Sequence, residues 1–169
     1  RGNIDNISIN LPRLALESVR DSKGCDISKR YEILKEKWIH VAEQTKDILL
    51  DRFEKTCQSD KDLFPTNQEC KLWCEDFSSN DLKDIFKHGT LSIGFIGLTE
   101  TIEILTGKKY WKDDDAYNLA LNFVRFMREY VDSQKNKYHL NFSLLATSGE
   151  LISGRFVDID KKLFDCDVL

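Results

Sequence analysis

One stretch of this chain gathers small hydroxylated residues and a glycine behind an apolar run: Leu140-Asn141-Phe142-Ser143-Leu144-Leu145, then Ala146-Thr147-Ser148-Gly149-Glu150. A strand that ends this way and turns toward a helix leaves backbone N–H groups without partners. The hydroxyls of Thr147 and Ser148 add donors beside them, and such a corner can hold an anion. The same residues also make an ordinary turn capped by Thr147 or Ser148. Asn3, just ahead of the first apolar segment, offers a donor and an acceptor on one neutral amide. A third feature is the run His88 to Glu100, apolar enough for a buried strand yet carrying Gly89, Gly94 and Gly97. Glycine weakens a strand, so three in one segment imply that something approaches the backbone closely.

Other chemistry-bearing residues are more scattered. His40, His88 and His139 stand far apart, and no Ser-His-Asp or Cys-His arrangement follows from spacing. Of the three, His88 beside Gly89 is the best placed for function. Asp113-Asp114-Asp115 suits a cation or, more simply, a helix start, where negative charge meets the positive end of the dipole. Cys70 and Cys74 would share a helix face, but no second pair stands near to complete a zinc site.

The elements that must position these residues alternate between two periods. Ile4 to Leu11 reads as a strand ended by Pro12, and Leu14 to Val19 as a helical turn or short helix. Ile27, Tyr31, Leu34, Trp38, Val41, Thr45, Ile48 and Phe53 form one apolar stripe on a long helix capped by Asp26 or Ser28. Cys57 to Asn80 is a loop with a short helix near Glu69 to Asp76. Ser79 or Asn80 then caps a helix through Phe86. Thr90 to Ile96 is a strand, Thr99 the expected cap of a helix that Gly107 stops, and Asp115 the cap of a helix that frays near Ser133 to Lys137. Leu140 to Ala146 is the last strand, and Gly154 to Ile159 a final extended piece. Strands joined by helical crossovers must run parallel, so the class is α/β, helix-rich with a few largely parallel strands.

Composition sets the outer bounds. The 169 residues fit one domain, their 41% hydrophobic content supplies a core, and a formal charge of −4 argues against a general nucleic-acid binder. Five irregularly spaced cysteines are not a secreted disulfide framework. No stretch is long and apolar enough to span a membrane and no signal peptide is visible, so a reducing cytoplasm is the expected compartment. The chain starts at Arg1 and ends on Asp165-Cys166-Asp167-Val168-Leu169. Both ends look cut, and residues 1–169 read as a single partial domain of a larger protein.

Three segments in order resemble the anaerobic (class III) ribonucleoside-triphosphate reductases. They are Arg1-Gly2-Asn3-Ile4 with Ile9-Asn10-Leu11-Pro12-Arg13, the run Gly89 to Glu100, and Leu140 to Thr147 with Ser153-Gly154-Arg155-Phe156. Leu105-Thr106-Gly107-Lys108 and Phe126-Met127-Arg128-Glu129-Tyr130 add to a resemblance that covers nearly the whole chain. It implies a ten-stranded glycyl-radical-enzyme barrel, of which these residues are the central part. It implies conversion of ribonucleoside triphosphates to 2′-deoxyribonucleoside triphosphates, in a homodimer that binds neither nucleic acid nor membrane. In the family an activase with an iron–sulfur cluster and S-adenosylmethionine forms a radical on a glycine near the C-terminus, and a cysteine inside the barrel receives it. The thiyl takes the ribose 3′-hydrogen and the 2′-hydroxyl leaves as water, with formate the usual reductant and a cysteine zinc site near the glycyl domain. The thiyl cysteine precedes the Arg-Gly-Asn motif, and the zinc cysteines and radical glycine lie downstream. None of the five cysteines here is therefore assigned, no cofactor or metal is expected within this chain, and alone it should be inactive.

Carried onto this sequence, the resemblance makes Asn3 an active-site amide near the ribose and Ala146-Thr147, with Ser148 and Gly149, the turn facing the phosphates. Gly89, Gly94 and Gly97 would line the pocket. Strand carboxyl ends would gather Asn3 and Thr147 on one side. Three departures stand out. Asp5-Asn6 replaces a usual glycine, Ser148-Gly149 replaces Pro-Ala and makes the turn less preorganised, and Lys109-Tyr110-Trp111 replaces His-His-Gly. Two other readings remain: a glycyl-radical enzyme acting on a small carbon substrate, and a helical interaction module built on the Ile27 to Phe53 stripe.

Overall fold

The computed structural model describes residues 2–71 and 81–164. Arg1, Cys74, Cys166, the expected caps Ser79 and Asn80 and most of the expected Glu69 to Asp76 helix lie outside them. Three strands, β1 (Asn3–Asn10), β2 (Thr90–Ile96) and β3 (Asn141–Ala146), form one sheet in chain order, and both pairs are parallel. The first crossover carries α1 (Leu11–Asp21), α2 (Ile27–Cys57) and the short α3 (Pro65–Glu69) and α4 (Leu82–Phe86). The second carries α5 (Leu98–Thr106) and α6 (Asp114–Tyr138), and α7 (Glu150–Phe164) follows β3.

Alternation along the strands sorts their side chains onto two faces. Ile7, Ile93 and Leu144 stand side by side in register, and Ile9 and Phe95 follow one step on. With Leu91 and Phe142 they meet Leu34, Trp38, Leu49 and Phe53 of α2 and Phe123, Met127 and Val131 of α6 in one core. Edge-on aromatic contacts fasten the two long helices, with Trp38 and Tyr130 rings 5.4 Å apart at 89°. The other face is polar toward its amino end: Asn6, Ser92 and Ser143 share one register, and Ser8, Gly94 and Leu145 lie in the next.

Most helix ends follow local chemistry. Asn10 caps α1, accepting from the Arg13 amide at 3.3 Å, so Pro12 sits in the first turn of a helix already begun rather than merely ending the strand. Asp26 caps α2 through the Lys29 amide, and Gly107 ends α5 at φ +72°. Four expectations need correction. The cap of α5 is Gly97 at φ +81°, not Thr99, because a left-handed residue turns the chain straight out of β2. Asp113, not Asp115, caps α6, which does not fray but continues to Tyr138 and ends on left-handed His139. Asp81 caps α4 through the Lys83 amide. Gly154 to Ile159 is helical, part of α7: Ser153, Phe156, Val157 and Asp160 are its less exposed positions, a spacing of three and four that outweighs the extended preference of Val157 and Ile159.

The α2 stripe is spent inside the domain: Leu34, Trp38 and Leu49 are fully buried, though Ile27 and Ile48 stay exposed. That removes the ground for a free interaction helix. No helix among the described residues is long and apolar enough to cross a membrane. Phe123 is fully buried where both long helices meet the sheet. Phe123→Ala is expected to cost about 3–5 kcal/mol in urea unfolding, whereas a loss below about 1 kcal/mol would show that the core does not rest on this contact.

Candidate functional site

The polar face is wired from one side of the sheet to the other. Asn3 Nδ2 lies 2.8 Å from the Thr90 carbonyl and 2.8 Å from Ser92 Oγ, and the Asn3 oxygen accepts from Asn6 Nδ2 at 3.2 Å. The amide orientation is assigned from this network, since oxygen in the nitrogen's place would face a carbonyl. Ser92, only 3% exposed, is also 2.9 Å from Ser143 Oγ. Buried hydroxyls need such partners. One consequence concerns Asn3 directly: its N–H groups are engaged on β2, so what it can still offer a ligand is a carbonyl acceptor.

At the carboxyl end the chain leaves β3 through the turn singled out by its hydroxyls. The Thr147 amide donates to the Phe95 carbonyl at 3.0 Å, extending the ladder by one bond. It is therefore not an anion donor, contrary to expectation, and Ser148 and Gly149 remain as the backbone donors of the turn. Ser8 Oγ donates to Thr147 Oγ1 at 2.8 Å. The Ser153 amide and hydroxyl both return to the Gly149 carbonyl, fixing the first turn of α7. Ala146 is exposed at the rim.

The structure brings Asn3 and Thr147 onto one face but not one end. Asn3 opens β1 and reaches Ser92, while Thr147 lies over Gly94. Asn3 stands opposite Thr90 in register, and four residues of strand separate Thr90 from Gly94, about 13 Å at the usual rise. The three glycines do mark close approaches, but by the protein's own atoms. A Cβ on Gly89 would meet Ile4 at 2.4 Å, on Gly97 Pro12 at 2.4 Å, and on Gly94 the hydroxyl oxygens of Thr147 and Ser8 at 2.5 and 2.6 Å. Gly97 also lines a cavity of about 650 Å³ at the sheet's carboxyl rim, with Asn10, Ile96, Glu100, Trp111 and Asp160. Asp160, 3% exposed, accepts from Asn10 Nδ2 at 2.8 Å and pairs with Arg13 Nε, tying α7 to the start of α1.

Sequence reasoning missed Ser8, Ser92, Ser143 and Asp160 as parts of this surface. The signal for the serines was present, since polar residues recur at every second position in Asn6-Ile7-Ser8-Ile9-Asn10. Nothing local marks Asp160, whose partner Arg13 is 147 residues away. The histidines stay apart: His40 pairs with Gln44, the His139 backbone ends α6, and exposed His88 gives only its backbone carbonyl to Asn141. Lys108, 2.6 Å from Asp113, holds that capping carboxyl below the usual carboxylate range.

The family model described as anaerobic ribonucleoside-triphosphate reductase matches residues 1–168. The chain belongs to the anaerobic ribonucleoside-triphosphate reductase family. Curated relatives of that name from Salmonella typhimurium, Escherichia coli and Haemophilus influenzae are each 29% identical over 167 residues, 97% of this chain. The chain spans 22% of the length of each. Within this reductase segment, Cys25, Cys57 and Cys70 are free thiols. No group of three or more His, Cys, Asp or Glu among the described residues could hold a metal ion.

Burial, helped by Glu54, pushes the Cys57 thiol from its ordinary 9.0 up to about 11. The thiolate is the reactive form, so alkylation of Cys57 in the folded reductase segment is expected to stay slow near about pH 8 and rise toward about pH 11. Because the folded value lies above the unfolded one, the stabilisation linked to this group is complete below about pH 9 and lost as pH rises through about 11. Alkylation that saturates by about pH 9 would show that burial does not control this thiol.

Proposed function

We propose that these residues form one wall of the catalytic barrel of a reductase that converts ribonucleoside triphosphates to 2′-deoxyribonucleoside triphosphates, with the polar sheet face turned to the substrate. The observation that carries this is the shared face of Asn3 and Thr147, which stand at successive levels along the strand direction. A ribose and its 5′-phosphates fit that order of groups: a neutral acceptor at the sugar, hydroxyl and amide donors at the anion. Asn3 then accepts a hydrogen bond from a ribose hydroxyl without removing its proton, because an amide oxygen is a weak base. Thr147 Oγ1, with the Ser148 and Gly149 amides at the positive end of the fifteen-residue α7, meets the phosphates. Gly94 and Gly97 lie beneath and beside this path, and Gly89 is filled by Ile4 at the opposite end.

Abstraction of the ribose 3′-hydrogen and loss of the 2′-hydroxyl as water would require a glycyl radical and a thiyl cysteine, with the zinc site and the S-adenosylmethionine and iron–sulfur activase of the family, and no residue of this chain is assigned to any of them. The full-length homodimer would act in a reducing cytoplasm, where cysteines without a disulfide framework remain thiols. A glycyl-radical enzyme for a small carbon substrate would have no use for the phosphate donors of Thr147 to Gly149. In the full-length protein, Thr147→Ala is expected to weaken triphosphate binding about tenfold, the worth of a hydrogen bond to a charged group. Asn3→Ala is expected to lower kcat more than it raises KM, since its contact is to the reacting sugar. Unchanged triphosphate affinity in Thr147→Ala would remove the phosphate role.

A further inference from the structure

We infer that Ser8 is a positioning residue for the phosphate turn: by donating to Thr147 Oγ1 across Gly94, it commits the Thr147 hydroxyl proton to the substrate. The inference rests on the proposed phosphate role of Thr147.

Ser8 lies on β1 and Thr147 just beyond β3, with β2 between them. Two strand spacings, about 10 Å, normally keep such residues apart. They meet at 2.8 Å because the intervening position is Gly94. Any Cβ there would stand 2.5 Å from Thr147 Oγ1 and 2.6 Å from Ser8 Oγ, inside the space the pair occupies. The glycine thus has a specific task in the middle of a buried strand, where glycine otherwise only weakens pairing.

The direction of the bond sets the chemistry. A hydroxyl has one proton and two lone pairs. Ser8 gives its proton to Thr147, so Thr147 receives on a lone pair and keeps its own proton for an outside acceptor. The Thr147 amide is meanwhile fixed to the Phe95 carbonyl. Backbone and side chain are both held before a ligand arrives, which lowers the cost of ordering them on binding. Without Ser8 the Thr147 hydroxyl can turn inward and donate to neighbouring backbone, and a donor is lost to the phosphate.

The test uses the full-length reductase, with CTP as the probe and cytidine as its phosphate-free counterpart. Ser8→Ala is expected to raise KM for CTP about fivefold, more than it changes kcat, with cytidine binding unaffected. Ser8→Thr, which keeps the hydroxyl and suits a strand, should restore wild-type KM. Ser8→Cys keeps the volume but donates weakly, so it should reproduce the rise even if Ser8→Ala disturbs folding. Ser8→Ala added to Thr147→Ala should cost nothing further, since the two act through one bond. A KM unchanged by Ser8→Ala and Ser8→Cys, while Thr147→Ala raises it, would overturn the role of Ser8 and leave the phosphate site standing. Full additivity in the double variant would overturn it too. No effect from Thr147→Ala would overturn the phosphate site itself.

Discussion

Strand order and crossover handedness together decide what this domain can do. Three parallel strands laid side by side in chain order must be joined by crossovers that all turn the same way, and right-handed crossovers place every connecting helix on one face of the sheet. Helices α2 and α6 accordingly share a single core with Ile9, Leu91, Ile93 and Phe142. Among the described residues, the opposite face receives no crossover helix. Its residues include the small polar Asn3, Asn6, Ser8, Ser92 and Ser143, with Leu145 and Ile96 toward the carboxyl end. A doubly wound sheet, with a reversal in strand order, would have covered both faces and left its ligand only the crevice at the switch point. Unidirectional order instead leaves one sheet face without crossover helices, an arrangement compatible with the wall of a closed barrel.

An uncovered polar face must still be internally satisfied, because a buried hydroxyl without a partner costs about 1–3 kcal/mol. Two short networks do this. Asn3, Ser92 and Ser143 run across the sheet near its amino end, and Ser8 and Thr147 bridge it at Gly94. At the rim, Asp160 joins Asn10 and Arg13 and fixes α7 beside the carboxyl ends of the strands. That buried carboxylate is tolerated because both oxygens are engaged, one by an amide and one by a guanidinium. The position of the Thr147 to Gly149 turn thus depends on contacts along α7: Gly149 against Ile96 at its start, and Asp160 farther along.

How much was legible in the sequence follows from the range of the interactions. The three strands, the two long helices and the parallel pairing were legible because period-two and period-three-to-four patterns are local. The Gly97 cap was missed because Thr99 fits the usual preference, and only the sharp exit from β2 overrides it. Helix α7 was misread because Phe156, Val157 and Ile159 favour strands, whereas contacts of Asp160 with β1 and α1 supply the deciding term. The glycines announced close approaches, but not by what. Ile4, Pro12 and the Ser8–Thr147 pair are 53 or more positions away from the glycines they touch, and no local pattern encodes them. Asn3 and Thr147 stand out by residue type and take their site roles from the resemblance, but only the register shows that they share a face and not an end.

The most direct test of the claim that this polar face receives the substrate is a crystal structure of the full-length reductase with a ribonucleoside triphosphate bound. The account requires the nucleotide to lie along the face, a phosphate oxygen about 3 Å from Thr147 Oγ1 and a ribose hydroxyl at the same range from the Asn3 carbonyl oxygen. A substrate found only in the rim cavity between α5 and α7, with Asn3 and Thr147 untouched, would contradict it.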